Sequence, residues 1–211
     1  MNGPARTNTR DIARAAVRAE LAQVAFDLFR RAGFDKVTVN DLAAAAGVSR
    51  STFLRYFGTK EDAVLGAVDA QGEQLADALR ARPADEDDWT ALRRALDSVV
   101  EHHRHDAAGA LAMSRLIMET PALCARSHEK QNGWRPALAQ ALTERADQAG
   151  QARHTALGPL VRAAAAVDCL NIAVNHWTAS GGRLDLDALL DEAFAALAPQ
   201  APSEPSEHSP R

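Results

Sequence analysis

The feature that most constrains the fold of this chain is a closely spaced series of helix caps and glycines near its N-terminus. Three hydroxyl residues stand where helices are expected to begin: Thr38, Ser49 and Thr59. A hydroxyl at such a position accepts a hydrogen bond from an exposed amide of the first helical turn. Gly47 lies two residues before Ser49, and Gly58 lies directly before Thr59. Glycine is the usual residue just past the end of a helix. The spacing predicts short helices at about 39–46 and 50–57 and a third from residue 60.

Two short helices joined by a tight glycine turn form the core of a helix-turn-helix. A longer helix is predicted before them, at about 10–32, because Val17, Leu21, Val24 and Leu28 recur at spacings of four, three and four residues. Gly33 follows this helix directly. The sequence therefore predicts a three-helix unit over residues 10–62.

The remaining pattern is helical as well, and no segment predicts a strand. The further helices are predicted at about 60–82, 89–105, 107–119, 122–149, 157–180 and 184–197. Gly133 and Pro136 are expected to bend the fourth of these, and the helix at 157–180 is apolar on most faces and is expected to be buried. The chain is thus predicted to be all-α, with a flexible arm at 1–9, a larger helical domain at 63–198 and a disordered tail at 199–211, which is rich in Pro and Ser.

The distribution of charge sets the predicted helix-turn-helix apart from the rest of the chain. Residues 1–62 carry ten Lys or Arg against seven Asp or Glu, whereas the remainder carries 14 against 21, which accounts for the net charge of −4. A basic segment on an acidic protein suits local binding of phosphate. The charged first thirty residues lack a signal-peptide core and no apolar run of about 18 residues is seen, so a cytoplasmic protein without a membrane span is expected.

The segment from Gly33 to Val64, GFDKVTVNDLAAAAGVSRSTFLRYFGTKEDAV, resembles the tetracycline-repressor (TetR) family of helix-turn-helix regulators. The matching positions are Gly33-Phe34, Thr38, Ala46-Gly47-Val48-Ser49, Tyr56-Phe57 and Lys60-Glu61. The resemblance spans about residues 15–75 and implies a dimeric regulator that binds a palindromic operator, most often as a repressor released by a small molecule. Leu54 departs from the family, which usually has a tyrosine there that contacts phosphate; Ser51 and Gly58 also depart, without consequence for the fold.

The helix-turn-helix geometry assigns roles to the candidate DNA-binding residues. The helix at 50–57 is expected to lie in the major groove, where its N-terminal residues reach base edges or phosphates: Ser49, Arg50, Ser51 and Thr52. Arg50 is the candidate for a bidentate contact to guanine. Thr38, Tyr56 and Lys60 are candidate phosphate contacts that fix the register, while Arg55 suits either role. Thr38 and Ser49 also suit plain capping, and Arg6 and Arg10 suit either a solvated arm or added DNA contacts.

The resemblance implies that the larger domain binds an effector and forms the dimer through the helices at 157–180 and 184–197. Effector binding would then change the spacing of the two DNA-binding units, with the helix at 60–82 as the lever. The candidate pocket residues are large, adaptable or polar side chains in apolar helices: Met113, Met118, Trp134, Cys169, Asn171, Asn175, His176 and Trp177. Methionine and tryptophan at such positions are more often part of a plain core. Asn171 and Asn175 suit either a ligand or the dimer contact.

No cofactor or metal site is predicted. His102, His103 and His105 lie at a predicted helix end amid charges, which favours a solvated terminus over a zinc site. Cys124 and Cys169 are expected to be buried free thiols. The alternatives are an activator, an effector-independent regulator, a helical adaptor or an enzyme; the sequence has no GxSxG, P-loop or HExxH motif, so an enzyme is not expected.

Overall fold

The computed structural model describes residues 9–150 and 155–198, and over these residues it contains helices and no strand. The N-terminal part consists of α1 (Thr9–Ala32), a 3-10 turn (Phe34–Lys36), α2 (Val39–Ala45), α3 (Arg50–Tyr56) and α4 (Lys60–Val64). The rest consists of α5 (Gly66–Arg80), α6 (Asp88–Ala95), α7 (Asp97–His105), α8 (Ala107–Glu119), α9 (Pro121–Asn132), α10 (Trp134–Gln148), α11 (Leu157–Ala179) and α12 (Leu186–Leu197). We refer to α1–α4 as the head and to α5–α12 as the body. The predicted tail and all of the predicted arm except Thr9 lie outside the described residues.

Three predicted helices are each divided into two in the structure. The break between α4 and α5 falls at Leu65, whose backbone departs from helical geometry and whose side chain is fully buried. Leu96 and Gly133 similarly separate α6 from α7 and α9 from α10. The prediction of a continuous helix at 60–82 is therefore wrong. The hydrophobic pattern of that segment continues across Leu65 and so does not indicate the break.

The described residues form two hydrophobic clusters, one in the head and one in the body. The head cluster is built on aromatic side chains: Phe29, Phe34, Phe53 and Phe57. The body cluster joins α5, α6, α7, α8, α10, α11 and α12, with Trp134 and Trp177 among its largest members. Leu123 of α9 is fully buried in the head cluster, and residues of α5 and α8 pack against that cluster, so three body helices contact the core of the head.

Helix α11 is buried on one side only, which corrects the expectation of burial on most faces. Ala166, Leu170 and Ala173 face the body core. On the opposite side, large apolar residues are exposed: Leu157 at 68%, Val161 at 57% and Ile172 at 55%. Among the described residues, α11 is also the helix whose length and composition would permit a membrane span, but its packing against α8, α10 and α12 is equally typical of a core helix.

Candidate nucleic-acid interface

The first residue of the predicted interface, Thr38, caps α2 in a reciprocal arrangement with Asp41. The Thr38 hydroxyl accepts a hydrogen bond of 3.3 Å from the Asp41 amide. In return, Asp41 Oδ2 accepts hydrogen bonds from the Thr38 hydroxyl at 2.7 Å and from the Thr38 amide at 2.9 Å. These hydrogen bonds, first that of the hydroxyl, lower the pKa of Asp41 below its ordinary value. The capping role predicted for Thr38 is thus present, and it fixes where α2 begins.

Ser49 caps α3 in a similar way. Its hydroxyl accepts a hydrogen bond from the Thr52 amide at 3.1 Å and donates one to Thr52 Oγ1 at 2.9 Å. The Ser51 hydroxyl oxygen lies 3.1 Å from Ser49 Oγ. The turn that precedes Ser49 depends on Gly47, whose φ of 66° is a conformation that side chains with a Cβ rarely adopt. The three hydroxyls of this turn are therefore clustered at the N-terminus of α3.

Helix α3 presents one face to the head core and the other to solvent. Phe53 and Phe57 are buried with ring centroids 5.2 Å apart. Arg50, Ser51 and Arg55 are exposed on the outer face. Because the buried phenylalanines fix the orientation of the helix, its N-terminal polar residues point outward together, as a helix that enters a DNA groove requires.

Lys60, a predicted phosphate contact, is bound to the head in this structure. Its ammonium donates hydrogen bonds to the carbonyls of Phe34 at 3.1 Å and Val37 at 3.4 Å. It also lies 4.1 Å from the centroid of the Phe34 ring. The side chain thereby holds the loop after α1 against the start of α4.

A cleft of about 410 Å³ lies beside the exposed face of α3, between α1 and α3. Its lining combines three guanidinium groups with a phenol and two apolar residues: Arg10, Arg14, Arg55, Tyr56, Ala13 and Val17. Arg14 was not among the predicted site residues. The signal was present, because Arg10 and Arg14 are four residues apart and so share one face of α1.

The eight predicted pocket residues are not brought together in one cavity. Trp134, Cys169 and Trp177 are buried in the body core, where the Trp134 indole donates to the Val68 carbonyl and the Cys169 thiol to the Ala193 carbonyl. Burial raises the pKa of Cys169. Asn175, His176 and Met118 are exposed and Asn171 is half-buried.

Helix α8 is the least buried apolar helix around the body. Only Ala110 is buried, whereas the large apolar side chains Leu111, Met113, Leu116 and Ile117 are half-buried. Met113, Leu116 and Ile117 also pack against the head cluster. This helix therefore offers incompletely covered apolar surface near the junction of head and body.

His103 corrects the expectation that the histidines form a solvated helix end. It is half-buried, with Nδ1 2.8 Å from the Val99 carbonyl and its ring 5.1 Å from that of Trp177. Burial lowers the pKa of His103. His102 and His105 are exposed as expected, and the described residues contain no cluster of three or more His, Cys, Asp or Glu that could hold a metal ion.

A second feature that sequence reasoning missed is a buried arginine between α6 and α12. Arg93 forms ion pairs with Asp97, Asp187 and Asp191. Arg93, Asp187 and Asp191 line a cavity of about 260 Å³ together with Trp89 and Phe194. The sequence contained no local signal for it, because Arg93 and Asp187 are 94 positions apart.

Two protein-family models together match most of the chain. A model described as "Bacterial regulatory proteins, tetR family" matches residues 21–66, and one described as "MftR C-terminal domain" matches residues 86–202, more than half of the chain. The chain is 35% identical to the HTH-type transcriptional regulator TcmR of Streptomyces glaucescens. The match covers 51% of this chain and 50% of TcmR. It is 33% identical to MftR of Mycobacterium tuberculosis, named for mycofactocin biosynthesis, over 59% of its length and 63% of that protein.

Solved structures share the fold at low sequence identity. FadR of Thermus thermophilus, a repressor solved with lauroyl-CoA, superposes with a TM-score of 0.58 at 22% identity and covers 88% of this chain and 98% of FadR. FadR of Bacillus subtilis, solved with stearoyl-CoA, superposes with a TM-score of 0.53 at 17% identity over 84% and 95% of the two chains. The predicted all-α architecture, with a helix-turn-helix followed by a helical body, is confirmed.

Proposed function

Because this chain belongs to the TetR family of bacterial regulatory proteins, we propose that it is a DNA-binding transcriptional regulator of the cytoplasm, and a repressor that a small molecule releases from its operator. The observation that carries the proposal is the outward-facing N-terminus of α3. There Arg50 and Ser51 are exposed while Phe53 holds the helix on the head core. In this role Arg50 binds a guanine edge, and Ser49, Ser51 and Thr52 bind base edges or phosphates.

Phosphate contacts are proposed for the residues around this helix. Tyr56 and Arg55 border the cleft that also contains Arg10 and Arg14, and Thr38 lies at the N-terminus of α2, where backbone amides favour an anion. Lys60 has three N–H donors, and two protein carbonyls accept from it. We assign its contact with DNA to the remaining donor.

The dimer is proposed to form through α11 and α12. Leu157, Val161 and Ile172 form an exposed apolar stripe along α11, and Asn175 lies on the same exposed side. Association would remove this surface from water. It would also place two copies of α3 about 34 Å apart, the distance between successive major grooves.

The effector is proposed to be an amphipathic molecule that inserts an apolar chain beside α8. The half-buried Leu111, Met113 and Leu116 supply apolar surface there, and two structures with this fold were solved with acyl-CoA molecules. Lauroyl-CoA is therefore the first probe, and free coenzyme A is its control.

The experiment is a selection of binding sequences from random DNA duplexes, followed by mobility shift. We expect enrichment of an inverted repeat, and we expect lauroyl-CoA but not coenzyme A to release the protein from it. Enrichment without release by any acyl-CoA would favour an effector-independent regulator or a different ligand. Failure to enrich any duplex would contradict the DNA-binding function itself.

A further inference from the structure

A half-buried cluster of charges connects the head to the body. Asp62 Oδ1 in α4 lies 3.0 Å from Lys130 Nζ in α9 and accepts hydrogen bonds of 3.2 and 3.1 Å from Arg126 Nε and Nη2. The Asp62 amide in turn donates to the hydroxyl of Thr59, the cap of α4. The side chains of Asp62 and Lys130 are only 13% and 9% exposed.

The surroundings of Asp62 favour its charged form. Burial raises the pKa of Asp62, but the hydrogen bonds and charges of Lys130 and Arg126 outweigh burial and lower the pKa overall. A buried carboxylate that loses its partners remains as an uncompensated charge, which is strongly unfavourable. The cluster therefore resists separation of α4 from α9.

The same face of α9 contacts the head at a second point. Leu123 is fully buried in the head cluster, and Lys130 follows it by seven residues, which is two helical turns. Arg126 and the buried Ser127 lie between them on that face. The first ten residues of α9 are thus held to the head by an apolar contact at one end and by ion pairs at the other.

The direct chain connection is less suited to fix the orientation of the head. The helix that leads from head to body is interrupted at Leu65, where α4 ends and α5 begins. A one-residue break in the hydrogen-bond ladder permits bending. Orientation then depends on contacts between side chains. Helix α8 supplies apolar ones through Met113, Leu116 and Ile117, and α9 supplies both Leu123 and the ion pairs with Asp62.

We propose that Asp62, Arg126 and Lys130 form a joint that fixes the orientation of the head on the body, and hence the separation of the two recognition helices in the dimer. This inference rests on the proposed DNA-binding function. Asp62 acts as a positioning residue and does not touch DNA. Helix α9 begins where α8 ends and thereby couples the position of the body to the orientation of the head.

The test measures how strictly the protein selects the spacing between operator half-sites. Duplexes obtained by selection with the full-length protein are altered by adding or removing one or two base pairs at the centre. We expect the wild-type protein to bind the original spacing best. Asp62→Asn keeps the size of the side chain but removes its charge. We expect the ratio of the affinities for the original and the altered spacing to fall to about one in this variant. The reason is that a head without a fixed orientation can bind either spacing.

The control is Asp77→Asn, which removes a carboxylate that pairs with Arg80 within α5 and is 75% exposed. It is expected to keep the wild-type ratio. If Asp62→Asn shows no cooperative thermal unfolding, Lys130→Met tests the same joint from the body side, with the apolar stem of the side chain retained.

The outcomes separate the joint from the function on which it rests. Loss of spacing selectivity in folded Asp62→Asn or Lys130→Met, with Asp77→Asn unchanged, supports the joint. Wild-type ratios in both joint variants overturn the joint and leave DNA binding intact. If the wild-type protein enriches no duplex, the proposed function fails and the joint fails with it.

Discussion

The indole ring of Trp134 lies directly against the backbone of Gly72, so closely that no Cβ fits between them. The same indole donates a hydrogen bond of 3.1 Å to the carbonyl of Val68, one turn earlier in α5. Both residues are buried, and α5 packs closely on α10 at this point. Gly72 therefore permits a helix contact that any larger residue would force apart.

Gly72→Ala is expected to destabilise the protein. Alanine in place of glycine favours a helix by about 1 kcal/mol, but overpacking of a dense core costs about 1–3 kcal/mol, and displacement of Trp134 also weakens its hydrogen bond. Urea unfolding measures the change. Gly158→Ala in α11 is the control, because its Cβ would lie 3.5 Å from the nearest side-chain atom, in ordinary contact. A gain of stability in both variants would show that Trp134 moves aside without cost.

Lys60→Met is expected to weaken binding to all DNA sequences alike. Loss of one phosphate contact reduces the slope of log affinity against log salt by about one. The variant also loses the hydrogen bonds to Phe34 and Val37, so thermal stability falls as well. Affinity measured over a series of salt concentrations is the test. An unchanged slope with lowered stability would assign Lys60 to the head alone.

Ile172→Glu is expected to dissociate the dimer. The substitution places a charge at the C-terminal end of the exposed apolar stripe of α11, one turn after the exposed Asp168, and burial of an unpaired charge at an interface is unfavourable. Sedimentation velocity would then report monomers. Met118→Glu is the matched control, since Met118 is a large exposed apolar residue on α8. Dissociation by Met118→Glu with no effect of Ile172→Glu would place the interface elsewhere.

His103 is expected to make the body less stable in mild acid. Burial holds the pKa of His103 below its ordinary value, so the unfolded chain takes up its proton first. The contribution of His103 to stability is therefore complete above the unfolded pKa of about 6.5 and is lost as pH falls through that value toward the folded pKa. The free energy of unfolding of His103→Gln should fall less between about pH 7.5 and 5.5 than that of the wild type. The exposed neighbour His102 supplies the control, and an equal acid response of His103→Gln and His102→Gln would exclude this role.

The head was predictable from the sequence because its signals are local. Thr38, Ser49 and Thr59 cap the helices that they precede, and Gly47 has the positive φ that its turn requires. Each signal acts within four residues, so periodicity and capping chemistry suffice to place α2 and α3.

The body was less predictable because its arrangement depends on contacts between distant parts of the chain. Asp62 and Lys130, like Arg93 and Asp187, meet only after folding, so no local pattern indicates their pairing. The apolar content of α11 indicated burial, but one side of the helix is exposed in the single chain. Hydrophobicity alone does not distinguish a core face from a face that an interface would cover.

The most direct test of the central claim compares base discrimination by the wild-type protein and Arg50→Ala. Fluorescence anisotropy would measure affinity for the selected duplex and for every single-base-pair variant of one half-site. If α3 reads the major groove, Arg50→Ala loses about 1–3 kcal/mol of discrimination at one base pair of each half-site, while Arg94→Ala on the exposed surface of α6 changes nothing. Equal discrimination by Arg50→Ala and the wild type at every position would contradict the account.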